Sequence, residues 1–124
     1  MAHVNESRRA FRAGAALDSK RMVTLAGGEL AYCDPGEQPL GVLEYPVATA
    51  GEAAAVRLLN GSGTVEIEAV GAVAVNDQVV TAANGTVAKD SGAGARTLVG
   101  LALTAVADGG VVEVLPYGYG HNLT

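Results

Sequence analysis

The chain has no tryptophan, one phenylalanine, four tyrosines and a single cysteine among its 124 residues. A lone Cys33 excludes an intrachain disulfide, and with it the small secreted scaffold that depends on such bridges. With no cysteine or histidine near it in sequence, Cys33 reads as a small buried hydrophobe. The scarcity of rings leaves the 49% apolar content to Ala and Val, so the core must be built from small side chains. Each buries little area, at about 25 cal/mol per Å² of apolar surface, and a small domain built this way gains from association with further copies. No apolar run approaches the roughly 20 residues of a membrane span, and the opening MAHVNESRRAFRAG lacks the apolar stretch of a secretion signal. A protein made in the cytoplasm, with no membrane partner, is expected.

Groups that do chemistry are equally scarce. His3 and His121 are the only histidines; each lies near a terminus, and neither has a second metal-ligand type at useful spacing. Nucleophilic catalysis needs a base beside a Ser, Thr or Cys, and no such pairing is visible. Ser91-Gly92-Ala93-Gly94-Ala95-Arg96-Thr97 has the glycines of a loose phosphate loop, but no G-K-[ST] closes it and no helix follows. Tyr117 and Tyr119 have no cations beside them to make a base-stacking platform. Glu66 and Glu68 share a strand face at i, i+2 and read as solvated surface. Lys89 is the one candidate for a lipoyl- or biotinyl-type attachment site, yet it lacks the Met-Lys-Met or Asp-Lys-Ala setting of those carriers. The expectation is therefore no enzyme, no cofactor, no metal and no nucleic-acid partner, with a carrier domain kept as a lesser alternative.

What the sequence does hold is glycine, 17 residues of it, between short runs rich in β-branched side chains. This favours an all-β fold, a small barrel or sandwich of short strands joined by tight turns. Met22–Leu25, Glu29–Cys33 and Leu40–Tyr45 are strand candidates, divided by Gly27-Gly28 and by Asp34-Pro35-Gly36. Thr64–Val70 alternates strictly, with Val65, Ile67 and Ala69 on one face and Glu66 and Glu68 on the other. Asn60-Gly61-Ser62-Gly63 before it reads as a hairpin connection. Gln78–Ala82 and Val111–Leu115 follow, with Pro116 expected to stop the ladder.

Ala50–Leu59 has the composition of a helix, but an internal comparison favours a strand at Ala54–Leu59. Leu40-Gly41-Val42, Val47-Ala48 and Gly51 are matched 59 positions later by Val99-Gly100-Leu101, Val106-Ala107 and Gly110. Gly28-Glu29-Leu30-Ala31 similarly resembles Gly85-Thr86-Val87-Ala88. Two duplicated β units are expected.

Charge is segregated along the chain. Five of the eight cations, Arg8, Arg9, Arg12, Lys20 and Arg21, face only Glu6 and Asp18 in the first 21 residues, which carry +3; the remainder sets three cations against eleven carboxylates, or −8. Such a body repels nucleic acid. Residues 1–21 read as an extended N-terminal arm, with at most a short helix over Glu6–Ala13 that needs a partner surface to persist; residues 22–117 read as the β-rich body and 118–124 as a tail.

From Glu6 to Tyr117 the phrasing ESRRAFRAGAAL, then AGGELAYCDPGEQPLGVLEYPVATAGEAAAVRLLNGSGTVEIEAVGAVAVNDQVV, then NGTVAKDSGAGARTLVGLALTAVADGGVVEVLPY resembles the capsid decoration, or cement, proteins of tailed phages and prophages. No single tripeptide carries the likeness; order and spacing over nearly the whole chain do. The resemblance implies a small non-enzymatic β protein on the outer surface of the virion head, a homotrimer whose partner is the major capsid protein. It further implies an arm that grasps the shell, with Arg8, Arg9 and Arg12 as charge-assisted donors and Phe11 as apolar anchor. A structural protein of the phage tail or baseplate has the same sequence properties and stays open as an alternative.

Overall fold

A strand with one apolar face is stable only when that face meets another layer, and this chain meets the requirement twice in the same way. The computed structural model describes residues 8–59 and 63–123, with side chains as far as Tyr117. Among the described residues there are ten strands: β1 (Arg8–Arg12), β2 (Arg21–Ala26), β3 (Glu29–Tyr32), β4 (Gly41–Leu43), β5 (Ala53–Leu58), β6 (Val65–Glu68), β7 (Gln78–Thr81), β8 (Val87–Lys89), β9 (Arg96–Ala102) and β10 (Val111–Leu123). They form two antiparallel five-stranded sheets, ordered β1-β5-β4-β2-β3 and β6-β10-β9-β7-β8, one of them curled as a half-barrel.

The second order is the first with every strand number raised by five. The finer bonding repeats as well. A parallel bridge joins Ala13 to Leu30 and another joins Ala69 to Val87; antiparallel bridges join Leu17 to Val47 and Val73 to Val106. The duplication expected from the sequence is thus a duplication of topology and register, and Ala53–Leu58 is a strand, the counterpart of Val111 onward in β10.

Each repeat has its own interior. In the first, Ala13, Leu17, Val23, Leu30, Leu43, Val47, Ala54 and Val56 pack together. In the second, Val65, Ile67, Ala69, Val73, Val79, Val87, Val99, Ala102, Val112 and Val114 do so, joined by Met22, Cys33, Val42 and Leu59 from the first repeat. The alternation that marked Thr64–Val70 therefore comes out as expected, with Val65 and Ile67 buried and Glu66 exposed.

The [LV]-G-[VL] phrase has a packing cause. At Gly41 a Cβ would lie 2.3 Å from the Arg57 carbonyl oxygen, and at Gly100 it would lie 2.2 Å from that of Leu115. In both repeats the neighbouring strand passes too close to this position for any side chain.

Three local expectations are corrected. Residues 8–12 form strand β1, paired with β5 from Arg8 opposite Arg57 to Arg12 opposite Ala53, rather than a helix or an arm ordered only by a partner; Ala13 and Leu17 just beyond are core residues. Met1 to Ser7 lie outside the described residues. Pro116 does not end β10, which runs on to Leu123. Its pairing with β6 stops at Val114, so at Pro116 one edge of the strand has no partner among the described residues, and the missing N–H is tolerated there. Asn60, Gly61 and Ser62 also lie outside the described residues, and the strands flanking them do not pair: β5 lies between β1 and β4, and β6 lies beside β10. β5 and β6 therefore belong to different sheets and are not a hairpin pair.

We expect Gly41→Ala and Gly100→Ala each to lower the unfolding free energy in urea by about 1–3 kcal/mol through overpacking. Gly92→Ala, at φ +81 with no atom near its Cβ direction, should lose about 1–2 kcal/mol from backbone strain alone, with no packing cost added.

Candidate interaction surface

The edge strand β1 carries all four residues singled out for binding, and the fold ties them down unequally. Arg8 is bidentate on Glu44, with Nε 2.5 Å from Oε1 and Nη2 3.0 Å from Oε2. Its hydrogen bond holds the Glu44 carboxyl below the usual range, against an opposing push from burial, with the charges of Arg8, Lys20 and Arg57 assisting. The Arg9 guanidinium lies 4.6 Å from the centroid of the Phe11 ring, a cation–π contact that leaves the ring half-buried and Arg9 exposed. Arg12 is exposed, with no ion pair among the described residues. The four therefore share one strand, and three are engaged with neighbours in the chain itself.

The seam between the repeats carries both ion pairs and backbone hydrogen bonds. Lys20 Nζ sits 2.9 Å from Glu66 Oε1 and Arg21 Nη2 3.0 Å from Glu68 Oε2. The Glu68 amide donates to the Lys20 carbonyl at 2.8 Å, and the Gly85 amide to that of Cys33 at 2.9 Å. Arg21 also donates to the Asn84 carbonyl, and the Asn84 amide to Asp34 Oδ1, both at 3.0 Å. At Gly85 a Cβ would lie 2.3 Å from the Met22 carbonyl oxygen, so the Asn84-Gly85 turn is pressed directly on the first repeat's backbone. A cleft of about 280 Å³ opens along this seam, with Lys20, Glu44, Arg57, Glu66 and Glu113 in its walls. Its side chains are engaged within the chain: Lys20 pairs with Glu66, Glu44 with Arg8 outside the cleft, and Glu113 accepts from the Thr64 hydroxyl at 2.7 Å. Glu66 lies on the surface as read from sequence, 59% exposed, and Glu68 is half-buried; both also tie the repeats together.

The other candidates are placed as follows. Cys33 is buried, and desolvation first, then Glu37 and Asp34, pushes its thiol up to about 12. A thiol held protonated is a poor nucleophile. Lys89 ends β8, its side chain 63% exposed and 3.9 Å from Asp77, and so does not crown a hairpin as a carrier lysine does. In the Ser91–Thr97 loop the donors that a phosphate would use are taken internally: the Gly92 amide donates to Asp90 at 3.1 Å, and Arg96 Nε lies 2.5 Å from the same carboxylate. His3 and the His121 side chain lie outside what the structure describes. Among the described residues no three His, Cys, Asp or Glu are grouped to hold a metal, and no helix is long and apolar enough to cross a membrane.

No protein-family description matches the chain, and no curated protein does. Among solved structures it is similar to the head fiber gp8.5 N base of bacteriophage phi29, with a TM-score of 0.73 and 19% sequence identity, over 88% of this chain and 92% of that one. At this identity the likeness is one of fold.

Asp90 gives the loop a pH signature. The Gly92 amide first, then Arg96, holds its carboxyl below the ordinary range while burial opposes them. With the folded value depressed, the stabilisation is complete above the unfolded pKa of about 4 and is lost as pH falls through the folded value. Thermal unfolding followed by circular dichroism should show Asp90→Asn losing less Tm than wild type on acidification across that window; equal losses would mean that the loop contact contributes nothing.

Proposed function

We propose that the chain is a non-enzymatic structural protein of a tailed-phage or prophage head, attached to the outer surface of the expanded shell as a homotrimer, where it bridges neighbouring units of the major capsid protein. The observation that carries this reading is the match of both tandem repeats, over 88% of the chain, to a base that belongs to a phage head fiber. The decoration-protein phrasing of the sequence supports it from a separate direction. The chemistry is compatible with it: Lys20, Glu44, Glu66 and Glu113 of the polar cleft are engaged within the chain, and the thiol is buried.

In this reading stabilisation of the shell needs no bond-making. A ligand that binds only the assembled, expanded lattice opposes disassembly by linkage. Three weak contacts on one trimer act at high effective concentration and multiply affinity by about 10²–10⁴ where geometry lets all three engage. The shell contact is a property of the assembled body more than of a free leash, because Arg8, Arg9 and Phe11 belong to a strand with partners of its own.

The test is co-sedimentation with expanded and unexpanded heads of the phage that encodes the chain, together with immunogold labelling of the particle. Saturable binding to expanded heads and gold over the head are expected. Absence from the head, or label confined to the tail, would contradict the proposal.

A further inference from the structure

The two repeats meet head to tail, the outer face of the first on the β6 edge of the second, and among the described residues such a contact leaves one copy of each face with no repeat against it. Corresponding positions can be read from the bonding pattern. The Lys20 amide donates to the Leu43 carbonyl as the Asn76 amide does to that of Ala102, so Lys20 corresponds to Asn76 and Arg21 to Asp77. Arg12 lies opposite Ala53 as Glu68 lies opposite Val111, so Arg12 corresponds to Glu68 and Ala10 to Glu66. Glu44 and Arg57 correspond to Leu103 and Leu115 by the same registers.

Partners across the seam have changed together. The ion pair of Glu68 with Arg21 becomes, on these other faces, Arg12 and Asp77, with both signs reversed; Asp77 also accepts from the Ala74 amide at 2.9 Å and lies 3.9 Å from Lys89. The pair of Glu66 with Lys20 becomes Ala10 and Asn76, both uncharged. Glu44 and Arg57, which line the cleft, correspond to Leu103 and Leu115, which are 38% and 44% exposed. Gly85, buried on the seam, corresponds to Gly28, which is exposed and has nothing within 4 Å of its Cβ direction. Ile67 is fully covered, whereas its counterpart Phe11 is half-buried.

We infer that these two faces bind each other in neighbouring copies: the β1 edge and Gly27-Gly28 turn of one chain pack on the Asp77, Leu103 and Leu115 face of the next, with Arg12 paired to Asp77. The chain's own seam supplies the template, and both charge and apolarity are complementary between the faces. The contact is heterologous, so it propagates and closes into a ring when the rotation per copy divides a full turn. Closure after three copies gives the homotrimer. The inference rests on the self-association in the proposed function and not on its shell contact.

The test is mass by light scattering over a concentration series, with Arg12→Glu, Asp77→Arg, the double variant Arg12→Glu/Asp77→Arg, and Leu115→Arg. Each substitution installs the residue that the other repeat already carries at that position. We expect each single variant to weaken association by about tenfold or more, as loss of a buried charge pair does, and the double charge swap to restore it. Association of Arg12→Glu and Leu115→Arg at wild-type strength, or folded single variants that the swap does not rescue, would overturn the inference. A wild-type monomer would overturn the inference and the trimer together; if that monomer still sedimented with heads, the shell-binding reading would stand.

Discussion

The structure depends on one steric requirement: the small-residue interior of the second repeat has to be closed by someone else's side chains. The second repeat's Val- and Ala-rich interior is completed by Met22, Cys33, Val42 and Leu59 from the first repeat. Everything distinctive about the seam follows. The backbones approach until only glycine fits at position 85, and amide-to-carbonyl bonds form between repeats. The charges that flank this contact are paired, and for Arg21, 17% exposed, being left alone would be costly. Salt bridges of this kind add little stability where exposed, and their value here lies in fixing which face meets which.

The same requirement separates the two repeats in character. The second is covered and apolar at its β6 edge; the first ends in β1, where Arg9 and Phe11 stand in the positions that Val65 and Ile67 occupy. A surface of this composition is too polar to be a core and too well ordered, with Arg8 clamped on Glu44, to be a free arm. It has the properties of an interface rim.

Much of the fold was legible in the sequence. The repeated [LV]-G-[VL] phrase marks a crowded strand crossing, and comparing the halves turned Ala54–Leu59 from a helix by composition into a strand by analogy. Equivalent positions stand 56 to 59 residues apart as the loops vary, which keeps the repeat faint to direct comparison. Strand β1 was not legible: Arg8-Arg9-Ala10-Phe11-Arg12 has one sizeable apolar residue, and pairing with β5, some 40 residues on, sets its conformation. Nor were the roles of Glu66 and Glu68. A carboxylate on a strand's polar face looks the same whether it meets water or a lysine 46 residues away; only the packing of two sheets tells them apart.

Native-state amide hydrogen exchange tests the central claim most directly. If the first repeat closes the second's core, the Glu68 and Gly85 amides, both bonded across the seam, exchange only with global unfolding and at the same free energy as the core amide of Val112. Exchange of those two amides through a low-energy local opening, with Val112 still protected, would mean that the repeats merely touch and would contradict the account.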